Sequence, residues 1–213
     1  MTSNDHASAV RRANDDDLDA VVDVLVDSHV EYAWERWALA CRDSRDRRER
    51  LTGLYRAELR SLALRAGEVW ITDCGRSVAV WLPARFQVEL DPADAAAREV
   101  AAVAAFGERL SVVAEIDGAV ACHRPVCDWY LATMGTLRRA QRLGLGTEVL
   151  QPRLRALDDT AASAVLETSD PANLRFYGRL GFEVVAELDR LAHGAPTTWV
   201  MERLHRHRGD VAG

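Results

Sequence analysis

Gln141-Arg142-Leu143-Gly144-Leu145-Gly146-Thr147 lies between two segments of different periodicity. Before it, Trp129-Tyr130-Leu131-Ala132-Thr133-Met134 is an apolar, β-prone run that reads as a strand. After it, Val149, Leu150, Leu154 and Leu157 recur at helical spacing. A strand, a glycine-bearing loop and a helix start together form a geometry that binds phosphate. Backbone N–H groups at a helix N-terminus lack intrahelical partners, and the helix dipole adds about half a positive charge there. Glycines at 144 and 146 let a ligand approach the backbone with no Cβ in the way.

Taken alone, the loop also fits an ordinary glycine turn before a helix. It lacks the Gly-Lys-Ser/Thr of a Walker A sequence, and Val149 stands where the third glycine of a dinucleotide fingerprint would fall. The segment downstream decides the matter. Leu166-Glu167-Thr168-Ser169-Asp170-Pro171-Ala172-Asn173-Leu174-Arg175-Phe176-Tyr177-Gly178-Arg179-Leu180-Gly181-Phe182 resembles motif B of the GNAT superfamily of acetyl-CoA-dependent N-acetyltransferases. Residues 141–146 then match that superfamily's Gln/Arg-x-x-Gly-x-Gly/Ala pyrophosphate loop, upstream and in the same order. Shorter pieces resemble a narrower family within it, which acetylates aminonucleoside antibiotics. They are Val69-Trp70-Ile71, Val78-Ala79-Val80-Trp81, His123-Arg124-Pro125, residues 129–135 and Trp199-Val200-Met201. The resemblance thins before about residue 45.

The resemblance implies an α+β GNAT fold, with helices flanking a mixed, mostly antiparallel central sheet. In it the strand of residues 129–134 splays from the strand of residues 166–168, and pantetheine enters the V-shaped gap. It further implies that Met134, Gly135 and Thr136 offer a backbone edge to the cofactor. Gln141 and the amides of Arg142, Leu143, Gly144, Leu145, Gly146 and Thr147 would hold the pyrophosphate. Asn173 would contact CoA, with a helix N-cap as its rival role. Tyr177 would be the general acid, since a phenol stays protonated at pH 7 and can protonate a departing thiolate. Packing beside Phe176 is the rival reading for Tyr177. Glu167, opposite the acetyl group by analogy, would be the base, acting through a water. Asp27, Glu31, Glu35 and Glu115 are other candidate bases, as are His29 and His123. The chain departs from the pattern at Arg142, where glycine is usual, and at Thr136-Leu137-Arg138, where Val-x-Pro is usual.

The acceptor side is expected around Tyr32, Trp34 and Trp37, with Asp27, Glu31 and Glu35 among them. Aromatic faces with carboxylates suit a flat cation, through contacts of about 0.5–2 kcal/mol each.

Length and composition fit this picture. The 213 residues suffice for one domain with a good core, read here as residues 1–204, with a disordered tail at 205–213. No apolar run approaches a membrane span and no signal peptide opens the chain, so a cytoplasmic protein without membrane contact is expected. Four cysteines lack CxxC spacing, and Cys122, His123 and Cys127 lack a fourth ligand, so no metal is expected. All 27 basic residues are arginine, yet the net charge is −6, which argues against nucleic acid and suits a cationic amine. The Arg-rich run at 45–50 is interleaved with Asp46 and Glu49 and reads as a solvated helix face.

Along the chain, residues 9–13 read as a strand, and Asn14 or Asp15 as the cap of a helix carrying Leu18, Val21, Val22 and Leu25. Residues 32–37 read as helical, and Leu51, Leu54, Tyr55, Leu59 and Leu62 mark a long helix ended by Gly67. Residues 69–72 and 77–82 form a hairpin, and residues 93–114 are helical with a break near Gly107. Pro152 is expected to kink the helix after the loop or end its first turns. Residues 163–168 read as a strand, 173–180 as a helix, and 182–188 and 197–202 as the last strands. The function implied is acetyl transfer from acetyl-CoA to a primary amine of a small molecule, by a monomer or homodimer. Alternatives are a tailoring or protein N-terminal acetyltransferase and a non-catalytic CoA sensor.

Overall fold

A computed structural model describes residues 9–39, 41–84 and 91–204 of the chain. The elements run β1 (Val10–Arg12), α1 (Leu18–His29), α2 (Ala33–Ala38), α3 (Ser44–Glu58), α4 (Leu64–Ala66), β2 (Glu68–Thr72) and β3 (Ser77–Pro83). Then come α5 (Pro92–Phe106), α6 (Leu110–Ala121), β4 (Trp129–Thr136), α7 (Leu145–Thr160), β5 (Ala164–Thr168), α8 (Pro171–Gly178), β6 (Glu183–Leu188) and β7 (Thr198–Arg203). The strands form one sheet in the order β1-β2-β3-β4-β5-β7-β6, antiparallel except where β4 runs parallel to β5.

The alternation of β3 shows how the sheet is clothed. Val78 and Val80 join the cluster built on α1 and α3, where Leu25, Leu39 and Leu51 are fully buried. Ala79 and Trp81 point the other way, into the cluster of α7 and α8 with Leu150, Leu157 and Phe182. Farther along the first face, Ile116 and Val120 of α6 pack on Val165 and Val200. Burying each large aliphatic side chain contributes about 1.5–3 kcal/mol. Between the α1/α3 cluster and the α6 cluster, the first face is left open over β4 and β5.

Local chemistry sets several boundaries. Asn14 accepts from the Asp16 N–H at 2.9 Å while Asp17 accepts from the Asn14 N–H at 3.0 Å, a reciprocal cap that starts the turn into α1. The long helix read from the sequence is α-helical to Glu58 and then widens into a π-helical segment, Leu59–Ala63. The break near Gly107 is a short 3-10 turn. Pro152 does not end α7, which continues through it to Thr160. Leu150, Leu154 and Leu157 are buried against the sheet, and this packing outweighs the one backbone hydrogen bond that a proline removes. The helix read at 173–180 begins two residues earlier, because the Asp170 carboxylate caps it by accepting from the Ala172 N–H at 2.9 Å. Asn173 is therefore not the N-cap. The tail at 205–213 lies outside the described residues.

Candidate active site

The site is built by the divergence of β4 from β5. These strands pair only at Trp129↔Ala164, Tyr130↔Val165 and Leu131↔Leu166. On its other side β4 pairs with β3 along its length, but the register skips from Val80↔Thr133 to Trp81↔Leu131. Ala132 is the extra residue of a bulge, and a bulge raises local twist and bends its strand. From Ala132 onward β4 leaves β5, and its backbone groups on that side have no strand partner.

A cavity of about 340 Å³ occupies the opening. Ala132, Thr133 and Met134 line one wall and Thr168, Ser169, Asn173 and Tyr177 the other. Helices α1, α2, α3 and α6 close it with His29, Tyr32, Trp34, Glu35, Tyr55, Glu58 and Asp117. Gly135 lies against α1, where a Cβ would fall 2.2 Å from the Ser28 hydroxyl, so side-chain absence there serves helix packing.

The glycine loop follows β4. Gly144 has φ +87° and precedes the first residue of α7. No described residue accepts a hydrogen bond from the five successive amides of Arg142, Leu143, Gly144, Leu145 and Gly146. The Thr147 amide, grouped with them from the sequence, is instead used within the helix start, donating to the Gly144 carbonyl at 2.9 Å. Gln141 donates through Nε2 to the Thr136 carbonyl at 3.4 Å. A Cβ on Gly146 would stand 3.3 Å from the Met134 methyl and 3.6 Å from the Phe176 ring, so loop, β4 and α8 converge at this glycine. Arg142 takes φ +65°, a left-handed conformation that costs a residue with a Cβ about 1 kcal/mol relative to glycine. Arg142→Gly should therefore raise the melting temperature by a few degrees, about 2–4 °C for a chain of this size. A lowered melting temperature in scanning calorimetry would contradict it.

Tyr177 is buried between Phe176 and Phe182, edge-on to both at ring separations of 5.0 and 5.9 Å. Its hydroxyl has no hydrogen-bond partner among the described residues and faces the cavity. Burial pushes this phenol up, so it stays protonated throughout the physiological range. Tyr32 ties the helical wall to the turn after β5: its oxygen accepts from the Ser169 N–H and shares a hydrogen bond of 3.0 Å with the Thr168 hydroxyl. Asn173 Nδ2 donates to the same Thr168 hydroxyl at 3.0 Å.

Glu167 is placed in the cavity wall but its carboxylate is occupied. Arg124 grips both oxygens, Nε on Oε1 and Nη2 on Oε2 at 3.0 Å, and the Tyr130 hydroxyl donates to Oε2 at 3.0 Å. With donors on both oxygens, the carboxylate offers no free oxygen toward an amine in the cavity. His29 is walled in, and burial pushes its imidazole down, so it is neutral near pH 7. Nδ1 lies 2.9 Å from the Leu25 carbonyl, which can only accept, so Nδ1 carries the proton and Nε2 stands 3.5 Å from Thr133 Oγ1.

Two acceptor residues read from the sequence are not in the cavity. Trp37 turns outward: its Nε1 donates to the His193 carbonyl at 3.0 Å and Arg109 lies 4.8 Å over its ring. Glu31 is exposed and pairs with Arg47 at 3.3 Å. Among the other carboxylates considered, Asp27 accepts from the Arg138 N–H at 2.8 Å, and Glu115 pairs with His193 at the surface. Tyr55, Glu58, Tyr130 and Arg124 were not among the site residues expected from the sequence. The signal for Glu58 was there: it lies beside Leu59 on the apolar stripe that also holds Leu51, Tyr55 and Leu62, where a charge is out of place.

No family model matches the sequence. Solved structures do match the fold. A histone acetyltransferase and related acetyltransferase from Corynebacterium glutamicum superposes with a TM-score of 0.65 at 20% identity, over 94% of this chain and 98% of its own. The C-terminal condensation domain of Ebony, solved with beta-alanyl-dopamine, gives 0.62 at 11% identity over 92% and 98%. A GNAT-family acetyltransferase structure from Desulfovibrio desulfuricans gives 0.53 at 16% identity over 92% and 98%. The mixed, mostly antiparallel sheet with its flanking helices is the GNAT fold.

Proposed function

We propose that this GNAT-fold chain is an acetyl-CoA-dependent N-acetyltransferase that acylates a primary amine of a small molecule by direct transfer in a ternary complex. One observation carries the reading: the unpartnered edge of β4 links five free amides at the head of α7 to a cavity that contains the Tyr177 hydroxyl. The chain's residues suit the cofactor. The amides of residues 142–146 would hold its pyrophosphate by hydrogen bonds strengthened by the helix dipole. The β4 backbone at Met134, Gly135 and Thr136 would pair with its pantetheine amides. Acetyl-CoA supplies the acyl group as a thioester.

Three demands remain for the protein: an uncharged amine, a donor for the oxyanion, and a donor for the thiolate. The bulge at Ala132 leaves β4 backbone groups without a strand partner beside the cavity, and an N–H among them would serve the oxyanion of an acetyl group bound there. Tyr177 serves the thiolate. Tyr32 and Trp34, with Phe106 beyond them, give the acceptor aromatic walls. These walls and the sequence pieces similar to puromycin N-acetyltransferase support an aminonucleoside or similar cationic antibiotic as acceptor, and hence a role in resistance or self-protection. Thiol release from acetyl-CoA with a panel of amines, puromycin included, tests the proposal. No release with any amine by a protein that binds CoA would leave it a CoA-binding module instead.

Trp34 and Trp37 separate binding from packing. Trp34→Ala should raise KM for the preferred amine about tenfold or more while sparing Kd for acetyl-CoA, on the worth of one aromatic wall. Trp37→Ala should lower stability and spare KM. The reverse pattern in steady-state kinetics and thermal melts would move the acceptor pocket to the outer side of α2.

A further inference from the structure

Glu35 of α2 and Glu58 at the end of α3 line the cavity and have no role in the steps above. Glu35 receives one hydrogen bond, from the Tyr55 hydroxyl at 3.3 Å. Glu58 receives no hydrogen bond or ion pair from any described residue, and Arg98 acts on it only through space. Burial pushes both carboxyls up, Glu35 to about 7, with the neighbouring Glu58 charge adding to the rise.

Among the described residues no cation forms a hydrogen bond or ion pair with either carboxylate; Arg98 of α5 is the guanidinium that acts on Glu58, and its through-space pull does not cancel the rise from burial. From α1 and its end come neutral His29 and the Tyr32 phenol; from α3, Tyr55; from β4, Tyr130. Asp117 of α6 adds negative charge, and Arg124 is engaged by Glu167 and Asp117. Two carboxylates in a cavity wall, without a cation in contact with either, take up either a proton or a cationic ligand. The π-helical segment Leu59–Ala63 begins at the residue after Glu58 and brings Leu59, Leu62 and Ala63 into the same wall. Such bulges often occur at functional sites.

We propose that Glu35 and Glu58 capture the acceptor as its ammonium ion and that Glu35 then takes the proton from nitrogen, which fixes the acceptor class as amines that are cations at neutral pH. The proposal rests on the N-acetyltransferase reading. R–NH3⁺ gives one proton to the Glu35 carboxylate, and the freed lone pair forms the N–C bond at the thioester carbonyl. The C–S bond breaks with its electron pair going to sulfur, which takes the Tyr177 proton. The second N–H proton restores Tyr177, and Glu35 later yields its proton to water. The sum is R–NH3⁺ + acetyl-CoA → R–NH–CO–CH3 + CoA–SH + H⁺. Glu58 takes no part in the proton transfer and, through its charge, sets how tightly Glu35 holds its proton.

The test compares 2-phenylethylamine, a cation at neutral pH, with aniline, which enters uncharged. In Glu35→Gln, kcat/KM at pH 7 should fall about 100-fold or more for phenylethylamine, and the losses for the two amines should differ by about 30-fold or more. In the wild type the phenylethylamine rate should fall on acidification through about pH 7, as Glu35 protonates. In Glu58→Gln this limb should move to lower pH, because a negative neighbour that raised Glu35 is gone. Equal losses for both amines, or an unmoved limb, would overturn the proposal. Both changes are isosteric and remove buried charge, so thermal melts should match the wild type.

Calorimetry separates this proposal from the reading it rests on. If CoA binds but no amine turns over, the transferase reading fails and Glu35's role as base falls with it. The cation site then stands only if phenylethylammonium binds about tenfold or more tighter than neutral 2-phenylethanol, and loses that margin in both glutamine variants. Equal affinities would sink it as well.

Discussion

Tyr177→Phe should lower kcat by about 10²–10⁴-fold with little change in KM for acetyl-CoA, the usual worth of a positioned general acid. The substitution keeps the ring, and with it the edge contacts to Phe176 and Phe182. It deletes a hydroxyl that bonds to no described residue, so no structural partner is orphaned and folding should be unaffected. Burial that pushes the phenol up also raises the basicity of a thiolate formed beside it, so proton transfer between the two remains accessible. Steady-state kinetics with a thiol-release readout checks the prediction. A variant with near-normal kcat would make Tyr177 a packing residue and assign thiolate protonation to water.

Gly144→Glu should weaken CoA binding by about 100-fold or more while the domain still folds. Gly144 has φ +87° with open space where a Cβ would stand, so the cost is backbone strain and no clash. That strain is about 1–2 kcal/mol, well inside a typical stability of about 5–15 kcal/mol. The introduced carboxylate would sit among five amides that have no partner of their own, compete for them, and repel a pyrophosphate. Gly144→Ala is the control, carrying the strain without the charge, and should lose much less. Unchanged CoA affinity by calorimetry in Gly144→Glu, with a cooperative melt, would remove the anion site from this loop.

The fold could be read in the sequence because its main signals are local. The strand of residues 129–134, the loop glycines and the helix behind them are contiguous, and each depends on periodicity or on a dihedral that glycine favours. The hairpin of β2 and β3 likewise announces itself by alternation and a turn. Local signals also misled in places. Pro152 marks a helix end by propensity, yet burial of three leucines holds α7 through it. Asn173 and Asp170 are both good caps, and the choice between them depends on where β5 stops.

What the sequence determined alone, then, is the sheet-and-helix order and a loop poised for an anion, since residues close along the chain create both. The chemistry of the cavity was decided by tertiary structure. Glu167 is a candidate base by its place in the sequence, but Arg124, 43 residues away, occupies its carboxylate. Tyr32, Trp34 and Trp37 are equivalent in the sequence, but Trp37 is claimed by a carbonyl 156 residues distant while the other two face the cavity. Glu35 and Glu58 became a pair only when α2 and α3 packed on the same opening. Desolvation and charge pairing depend on neighbours in space, and chain folding alone brings those neighbours together.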